Sequence, residues 1–121
     1  MIRGLGNDIV GIERFRKSID RHGKKFLDKL FTPAEQEYCL RYNDSVPRFA
    51  GRFAAKESVS KVFGTGFGEH ISFLEIEILN DNLGKPHVSF SDKINQNFAN
   101  PEVLISISHC DEYATAVAIW H

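Results

Sequence analysis

A carboxylate and an ammonium group stand one helical turn apart near the middle of the chain. Glu57 and Lys61 lie in the run from Arg52 to Phe63, whose pattern predicts a helix, and residues four apart share one helical face. The run ends in a glycine-rich segment, Gly64-Thr65-Gly66-Phe67-Gly68, where a backbone can closely approach a bulky anion. This arrangement could hold a metal ion and a phosphate together. The alternative is an ordinary exposed Glu–Lys pair, which stabilises a helix by ~0.2–0.5 kcal/mol.

A second carboxylate, Asp8, follows a strand-like segment that contains Gly4 and Gly6. A carboxylate at a strand end is well placed to bind a ligand, although a turn or capping aspartate before the next helix is the ordinary interpretation. Magnesium is commonly held by one or two carboxylates, with waters and substrate phosphates completing its shell. Asp8 and Glu57 meet this requirement if the fold brings them together, which the sequence leaves open.

Two further polar residues stand at a strand end and beside a turn. His109 closes the run that begins at Ser106, where a histidine can donate to a phosphate, carry a proton or simply cap the strand. Lys85 follows a tight turn at Gly84, and its ordinary interpretation is an exposed turn lysine. The chain contains no Walker loop, dinucleotide fingerprint, zinc-ligand spacing or nucleophile elbow, so those classes of site are not indicated.

The net charge of −1 conceals a basic segment between Glu13 and Lys25. Two acidic residues there face six basic ones, so the segment carries +4 and the remainder −5; the basic residues are Arg14, Arg16, Lys17, Arg21, Lys24 and Lys25. A local positive surface on a nearly neutral protein indicates an acidic protein partner rather than nucleic acid. A solvated helix face without a partner is the alternative.

The length of 121 residues suits one domain, residues 1–121. Hydrophobic residues make up 42% of the chain and charged residues 26%, and no apolar run approaches the roughly 20 residues of a membrane span. The N-terminus lacks the pattern of a secretory signal. Cys39 and Cys110 form no C-x-x-C pair, which is typical of reduced thiols. We therefore expect a cytoplasmic protein that does not cross a membrane, and oligomerisation would help so small a domain.

The periodicity of apolar residues predicts an α+β domain. Helices packed on an antiparallel sheet are expected, with the first strand joining that sheet. Strands are predicted for about residues 1–8, 71–78, 86–90, 103–108 and 114–120. Helices are predicted for about residues 11–21, 26–30, 33–42, 47–63 and 92–97. A break is expected at His22-Gly23, and Thr32 is expected to cap the third helix through a capping box with Glu35.

Three blocks together resemble the holo-acyl-carrier-protein synthases, the small phosphopantetheinyl transferases of bacterial fatty-acid synthesis. The blocks are Gly4 to Val10 with Arg14 beyond, Gly51 to Lys61 followed by Phe63-Gly64-Thr65-Gly66, and Asn82 to Pro86 with Ser106 to His109 and Tyr113-Ala114. The resemblance covers essentially the whole chain. It implies transfer of the phosphopantetheine arm of coenzyme A to a serine of apo-acyl carrier protein, with release of adenosine 3′,5′-bisphosphate.

The resemblance also implies roles for individual residues. Asp8 and Glu57 correspond to magnesium ligands, and Lys61 corresponds to a lysine near the diphosphate, with Gly64 following in the same block. Residues of the basic segment would dock the acidic carrier protein: Arg14, Arg21, Lys24 and Lys25. A homotrimer with shared active sites is implied, in which His109 and the turn Gly84-Lys85-Pro86 reach coenzyme A from a neighbouring chain or line the same cleft.

Two other functions remain open at this point. A binding module that recognises an acidic protein or RNA would explain the basic segment but not the set Asp8, Glu57 and Lys61. A magnesium-dependent nucleotide hydrolase would use the same metal pair without a carrier protein. For the transferase, Glu57, a water or the carrier itself is the proton acceptor.

Overall fold

The computed structural model describes residues 1–121. In chain order the elements are β1 (Gly4–Gly11), α1 (Ile12–Leu30), α2 (Pro33–Leu40), α3 (Val46–Val62), a 3₁₀ turn (Phe73–Glu75), β2 (Ile76–Asn80), β3 (Pro86–Phe90), α4 (Asp92–Asn97), β4 (Val103–His109) and β5 (Tyr113–Trp120). Helices pack on antiparallel strands, which confirms the predicted α+β class. No helix has the length and apolar character that crossing a bilayer requires.

The strands form two sheets rather than one. β5 lies between β1 and β4, with antiparallel pairing on both sides, and β2 pairs only with β3. The second edge of β2 is turned toward α2, where the N–H of Ile78 donates to a carboxylate oxygen of Glu35 over 2.8 Å. A side chain thus satisfies one hydrogen-bonding group on the outer edge of β2, while on the other side of the hairpin no ladder of hydrogen bonds joins β3 to β4.

The central helix α3 is the element on which the other elements pack. Apolar residues on two of its faces belong to two buried clusters, one under the sheets and one under α1 and α2. On β5 the residues facing α3 are Ala114, Ala116 and Ala118, all buried. These small side chains let the three-stranded sheet lie close to the helix.

The predicted helix signals are present. In the capping box, Thr32 Oγ1 accepts from the N–H of Glu35 at 3.3 Å, and Glu35 Oε1 accepts from the N–H of Thr32 at 2.8 Å. The break expected at His22-Gly23 is a kink inside α1, because Gly23 has φ 63° and ψ −145° while helix continues on both sides. The second helical piece therefore belongs to α1.

Some predicted boundaries are wrong by several residues. β1 continues to Gly11, so Asp8 lies within the strand and not at its end, because its pairing with β5 runs on as far as Tyr113. β2 begins at Ile76 rather than near residue 71, because residues 73–75 form a 3₁₀ turn. That turn directs Phe73 toward α3, where its ring stacks on Phe53 with centroids 5.5 Å apart. A straight strand from residue 71 would not give this contact, so aromatic packing on α3 decides the local structure.

The face of the three-stranded sheet that is turned away from α3 is apolar and open to solvent. Leu5 and Ile9 of β1 are 66% and 62% exposed, Leu104 of β4 is 52% exposed and Val117 of β5 is 37% exposed. The pairing places Leu5 and Leu104 on either side of Ile119, so these side chains form one surface, called the outer sheet face below. A contiguous apolar surface of this kind is typical of an association site.

Candidate active site

The position of Asp8 follows from the close contact between β1 and α3. Residues 4, 6, 8 and 10 of β1 share the face turned toward the helix, since side chains alternate along a strand. A Cβ added at Gly4 would lie 2.2 Å from the carbonyl oxygen of Val62, and one added at Gly6 would lie 2.1 Å from that of Ser58. Only glycine permits this approach. The two backbones meet directly, and Asp8 is delivered to the face of α3 that carries Glu57 and Lys61.

Asp8, Glu57 and Lys61 form one charged group at the end of this contact. Lys61 Nζ lies 3.4 Å from Asp8 Oδ1 and donates to the carbonyl oxygen of Asn7 over 2.8 Å. Partial burial, followed by the negative charge of Asp8, raises the pKa of Glu57, and the charge of Lys61 partly opposes this. The three residues singled out from the sequence are therefore close enough to act on one bound group.

A cleft of about 660 Å³ opens beside this group, between β1, α1 and α3. Asp8, Glu57 and Arg14 line its polar side. Its other wall is apolar and is formed by Ile9, Val10, Phe15, Phe26, Leu30, Phe53 and Phe73. Charged ligands can thus be bound at one side while an extended or apolar part lies along the aromatic wall.

The donor set of the cleft fits magnesium. Asp8 and Glu57 provide two carboxylates that repel each other, and the structure contains no group of three or more His, Cys, Asp or Glu side chains able to hold a metal. Magnesium needs few protein ligands when phosphate oxygens and waters fill its octahedral shell. The pair is therefore suited to a magnesium ion that arrives with a phosphorylated substrate, and not to a closed protein cage.

The other predicted coenzyme A residues lie in a second pocket. Gly84, Pro86 and His109 line a cavity of about 150 Å³ that shares no lining residue with the cleft. Lys85 is held in the adjoining turn, where its N–H donates to Asp81 Oδ1 over 2.9 Å. Gly64 directly follows α3 with φ 80° and lines neither cavity. Within one chain, the site residues predicted from the sequence thus do not form a single site, because some lie at the cleft and others at the second pocket.

Two arginines of this second pocket had not been singled out from the sequence. Arg52 is buried, donates to Asn80 Oδ1 and lies over the ring of Tyr38 at 4.1 Å, while its Nε has no hydrogen-bond partner. Arg48, one turn earlier, lies over the ring of Tyr42 at 4.0 Å. Beside His109, these cations make the pocket suitable for an anion. The available signal was the spacing of basic residues at 48, 52 and 56.

Lys56 was also missed as a key residue, although it precedes Glu57 directly. Its Nζ donates to the carbonyl oxygens of Leu30 at 2.7 Å and Phe73 at 3.0 Å, and to Glu35 Oε1 at 2.6 Å. Burial lowers the pKa of Lys56, and Glu35 opposes this shift. Leu30 and Phe73 line the cleft, so Lys56 connects the helix that carries Glu57 to the apolar wall opposite it.

Only some basic side chains of the segment between Glu13 and Lys25 are free of ion pairs within the chain. Arg16 is bound to Asp44 by two hydrogen bonds of 3.0 and 2.8 Å and to Glu13 at 3.0 Å, which raises its pKa. Lys24 pairs with Asp28 at 3.0 Å. The residues of this segment that form no ion pair are Arg14, Lys17, Arg21 and Lys25. Of the four predicted docking residues, Arg14, Arg21 and Lys25 are therefore available, and Lys24 has an exposed intramolecular partner.

Comparison with known proteins identifies the class to which this fold and cleft belong. Residues 4–118 match the sequence model of the 4′-phosphopantetheinyl transferase superfamily, and the chain belongs to that superfamily of enzymes. It is 54% identical over 120 residues to the holo-[acyl-carrier-protein] synthase of Protochlamydia amoebophila, an alignment that covers 99% of this chain and 98% of its relative. The family resemblance and the prediction of an enzyme are confirmed.

Solved structures agree with this assignment. The holo-[acyl-carrier-protein] synthase of Neisseria meningitidis superposes with a TM-score of 0.91 at 31% identity, covering 100% of this chain and 99% of that one. The Bacillus anthracis synthase, solved in complex with CoA (3′,5′-ADP), gives a TM-score of 0.86 at 38% identity, with coverage of 99% and 96%. The synthase of Helicobacter pylori, in complex with coenzyme A, gives 0.89 at 34%, with coverage of 97% and 99%.

Proposed function

We propose that this enzyme transfers the phosphopantetheine arm of coenzyme A to a serine of apo-acyl carrier protein, with magnesium as its metal and adenosine 3′,5′-bisphosphate as the second product. The observation that carries this proposal is that Asp8 and Glu57 line one cleft while Lys61 lies against Asp8 beside it. The holo-carrier so formed would serve fatty-acid biosynthesis. Both cysteines are free, which suits the reducing conditions of the cytoplasm.

The two carboxylates would hold the metal, and the basic residues would bind the remaining charge. Magnesium, when bound by Asp8 and Glu57, neutralises charge on the diphosphate. Lys61 lies where it can contact the same diphosphate from the glycine-rich end of α3, and Arg14 lies on the opposite side of the cleft entrance. Catalysis of this type depends chiefly on positioning and on neutralising charge.

The chemical step breaks the phosphoanhydride bond of the coenzyme A diphosphate and forms a phosphoester bond to the carrier serine. The serine oxygen forms a bond to the phosphorus next to the pantetheine, and the bond from that phosphorus to the bridging oxygen of the diphosphate breaks. Glu57 takes the serine proton, a role that suits a carboxylate lining the cleft beside Asp8. The electron pair of the broken bond remains on the phosphate of the leaving adenosine 3′,5′-bisphosphate, where Lys61 offsets the charge.

The nucleotide end of coenzyme A would be bound by a neighbouring chain. Arg52 and Glu57 are five residues apart on α3, so their side chains point about 140° apart, and their pockets share no residue. The buried Nε of Arg52 has no partner within the chain, and a phosphate from outside would satisfy it. One chain would thus supply Asp8, Glu57 and Lys61, and the next would supply Arg48, Arg52, His109 and the turn Gly84-Lys85-Pro86.

The outer sheet face supports a homotrimer. Its exposed apolar side chains lie on β1, β5 and β4, and these strands include the one that carries Asp8 and the one that ends at His109. Association through this face would therefore bring parts of the two pockets from different chains toward each other. A lone copy would expose this surface to water at a cost of roughly 25 cal/mol per Å² of apolar area.

The free basic side of α1 is the proposed docking surface for the acidic carrier. Arg14 lies at the entrance of the cleft, and Arg21 lies two turns further along the same helix. A carrier held along this helix would have its serine near Glu57. A binding module leaves the group Asp8, Glu57 and Lys61 unexplained, and a nucleotide hydrolase leaves the basic helix unexplained, so the transferase is preferred.

Intact-mass spectrometry tests the proposal. Apo-acyl carrier protein is incubated with the enzyme, coenzyme A and magnesium, and a chelator and a carrier with its serine replaced by alanine serve as controls. The expected result is a mass gain of one phosphopantetheine that disappears in both controls. No gain with a folded enzyme and several carriers would contradict the transferase function, and a gain that survives the chelator would contradict the magnesium requirement.

A further inference from the structure

We propose that Lys61 occupies the cation position at Asp8 in the free enzyme, so that the metal binds strongly only together with the diphosphate of coenzyme A. This inference rests on the proposed function of the cleft and adds to it an order of binding. It concerns the free enzyme, for which the structure gives the position of the ammonium group.

The contacts of Lys61 place a positive charge beside the middle of β1. Its Nζ donates to the carbonyl oxygen of Asn7 over 2.8 Å and lies 3.4 Å from Asp8 Oδ1. Both acceptors belong to the strand that is fixed against α3 by Gly4 and Gly6. An ammonium group at this distance satisfies part of the charge of Asp8, which a metal ion would otherwise use.

The charges of the cleft balance without a metal. Asp8 and Glu57 contribute −2, and Arg14 in the cleft and Lys61 beside Asp8 contribute +2. A divalent cation bound alone would leave the cleft with a charge of +2, which is unfavourable where water is partly excluded. A diphosphate brings negative charge and oxygen ligands at the same time, and it also offers Lys61 another partner. Metal and diphosphate should therefore bind cooperatively, and each should raise the affinity of the enzyme for the other by the same factor.

Ligand number leads to the same conclusion. Magnesium requires six oxygen ligands in near-octahedral geometry, and this cleft supplies only two carboxylate side chains, one of which is shared with Lys61. Removal of the ammonium group frees Asp8 without changing the number of carboxylates. A variant without this charge should therefore bind a metal better in the absence of coenzyme A.

Titration with Mn²⁺, followed by electron paramagnetic resonance at constant ionic strength, measures this directly. The wild type, Lys61→Met and Lys61→Gln are compared with and without coenzyme A. Lys93→Met is the matched control, because Lys93 forms a half-exposed ion pair with Glu75 at 3.7 Å on α4. Without coenzyme A, both Lys61 variants should bind Mn²⁺ about fivefold or more tightly than the wild type, and Lys93→Met should bind it as the wild type does.

The outcomes separate the two proposals. If coenzyme A does not increase the Mn²⁺ affinity of the wild type, the proposed metal site fails, and with it the proposed function of the cleft. If coenzyme A does increase it, but both Lys61 variants bind Mn²⁺ alone no better than the wild type, only the role of Lys61 is overturned. Since Lys61 is half-exposed, its replacement leaves the core intact, and thermal unfolding of each variant verifies this.

Discussion

The Nζ atom of Lys56 lies 2.6 Å from Oε1 of Glu35, and both side chains are completely buried. All three hydrogen-bond donors of the ammonium group are used, because the carbonyl oxygens of Leu30 and Phe73 accept the other two. Glu35 in turn accepts from the N–H groups of Thr32 and Ile78. One ion pair therefore joins α1, α2, α3, the 3₁₀ turn and β2 directly behind Glu57.

Lys56→Met should reduce the free energy of unfolding by about 3–5 kcal/mol, because it leaves the carboxylate of Glu35 buried without its cation. Urea denaturation measures the loss. Lys93→Met, which removes a surface ion pair, should cost at most about 1 kcal/mol. The double variant Lys56→Met/Glu35→Gln should lose less than the sum of its single changes, because no unpaired charge remains. Equal effects of Lys56→Met and Lys93→Met would refute this account of the pair.

Gly6→Ala should destabilise the protein by about 2–3 kcal/mol or more, since its Cβ would meet the carbonyl oxygen of Ser58 at 2.1 Å. Relief of that clash requires β1 to move away from α3, which also moves Asp8 away from Glu57. Thermal unfolding with magnesium and coenzyme A should therefore show reduced ligand protection. Gly11→Ala is the control, because its nearest contact is Arg14 Cβ at 3.9 Å. Identical effects of the two substitutions would contradict the argument.

Glu57→Gln should abolish most turnover and yet increase stability at neutral pH. The folded protein raises the pKa of Glu57, so the ionised carboxylate destabilises the folded state. This destabilisation grows as the pH rises from the pKa of Glu57 in the unfolded state to its pKa in the folded state. At a pH below the unfolded pKa, both states are protonated and the gain should vanish. Melting temperatures across this range and rates at neutral pH provide the measurements. Undiminished turnover would exclude Glu57 as the proton acceptor.

The rate of the wild type should likewise decrease with falling pH as Glu57 becomes protonated. At limiting magnesium the midpoint is expected above that of an ordinary glutamate, because burial and Asp8 both favour the neutral form, and saturating magnesium should lower it, because a bound cation favours the ionised form. Asp8→Asn removes the repelling charge and should lower the midpoint of any residual activity. A midpoint unaffected by Asp8→Asn would assign the titration to another group.

Reversal of charge at Arg21 and Lys25 should raise the KM for the carrier protein about tenfold at low salt and make it less dependent on salt, while the KM for coenzyme A stays the same. Neither residue has an ion-pair partner within the chain. Lys93→Glu changes the net charge as much as either single reversal but lies on α4, and it should leave the carrier KM unchanged. If the two reversals at positions 21 and 25 have no larger effect than Lys93→Glu, the basic segment is only a solvated face.

Val117→Glu and Leu104→Glu should convert the proposed trimer into smaller species, because each places a charge in the centre of the outer sheet face. Light scattering during size-exclusion chromatography measures the mass. Leu40→Glu is the control, since Leu40 is 61% exposed, more than either residue, but lies at the end of α2. A trimer that persists in both variants, or a wild type that is monomeric at working concentration, would contradict the proposed association.

Local features of the sequence predicted much of the fold. The capping box at Thr32, the break at Gly23 and the helical spacing of Glu57 and Lys61 depend on residues a few positions apart, so the sequence contains them directly. The two separate sheets could not be predicted, because strand pairing joins residues far apart in the sequence, as does the contact of Glu35 with the N–H of Ile78, 43 residues away. Such a contact has no local pattern.

The same limit applied to the site. Asp8 and Glu57 were selected by residue type and context, but the contact that joins them depends on Gly6 meeting Ser58 across the fold. Arg52 and Lys56 were overlooked because charged residues are seldom buried, and their partners are 28 and 21 residues away. The separation of His109 from the first cleft depends on which faces of α3 the strands cover, and spacing does not specify this.

The contact of Gly4 and Gly6 with α3 also determines what can vary in this family. A spacing set by main-chain atoms has no side chain at the contact that could be exchanged for a larger or smaller one. Substitutions in the core elsewhere should leave this main-chain contact, and with it the distance between the two carboxylates, unchanged; structures at 31–38% identity superpose on this chain with TM-scores of 0.86–0.91. The geometry of the metal-binding pair therefore does not depend on the particular side chains of the hydrophobic core. It depends on Gly4 and Gly6, and a substitution at either glycine should change it.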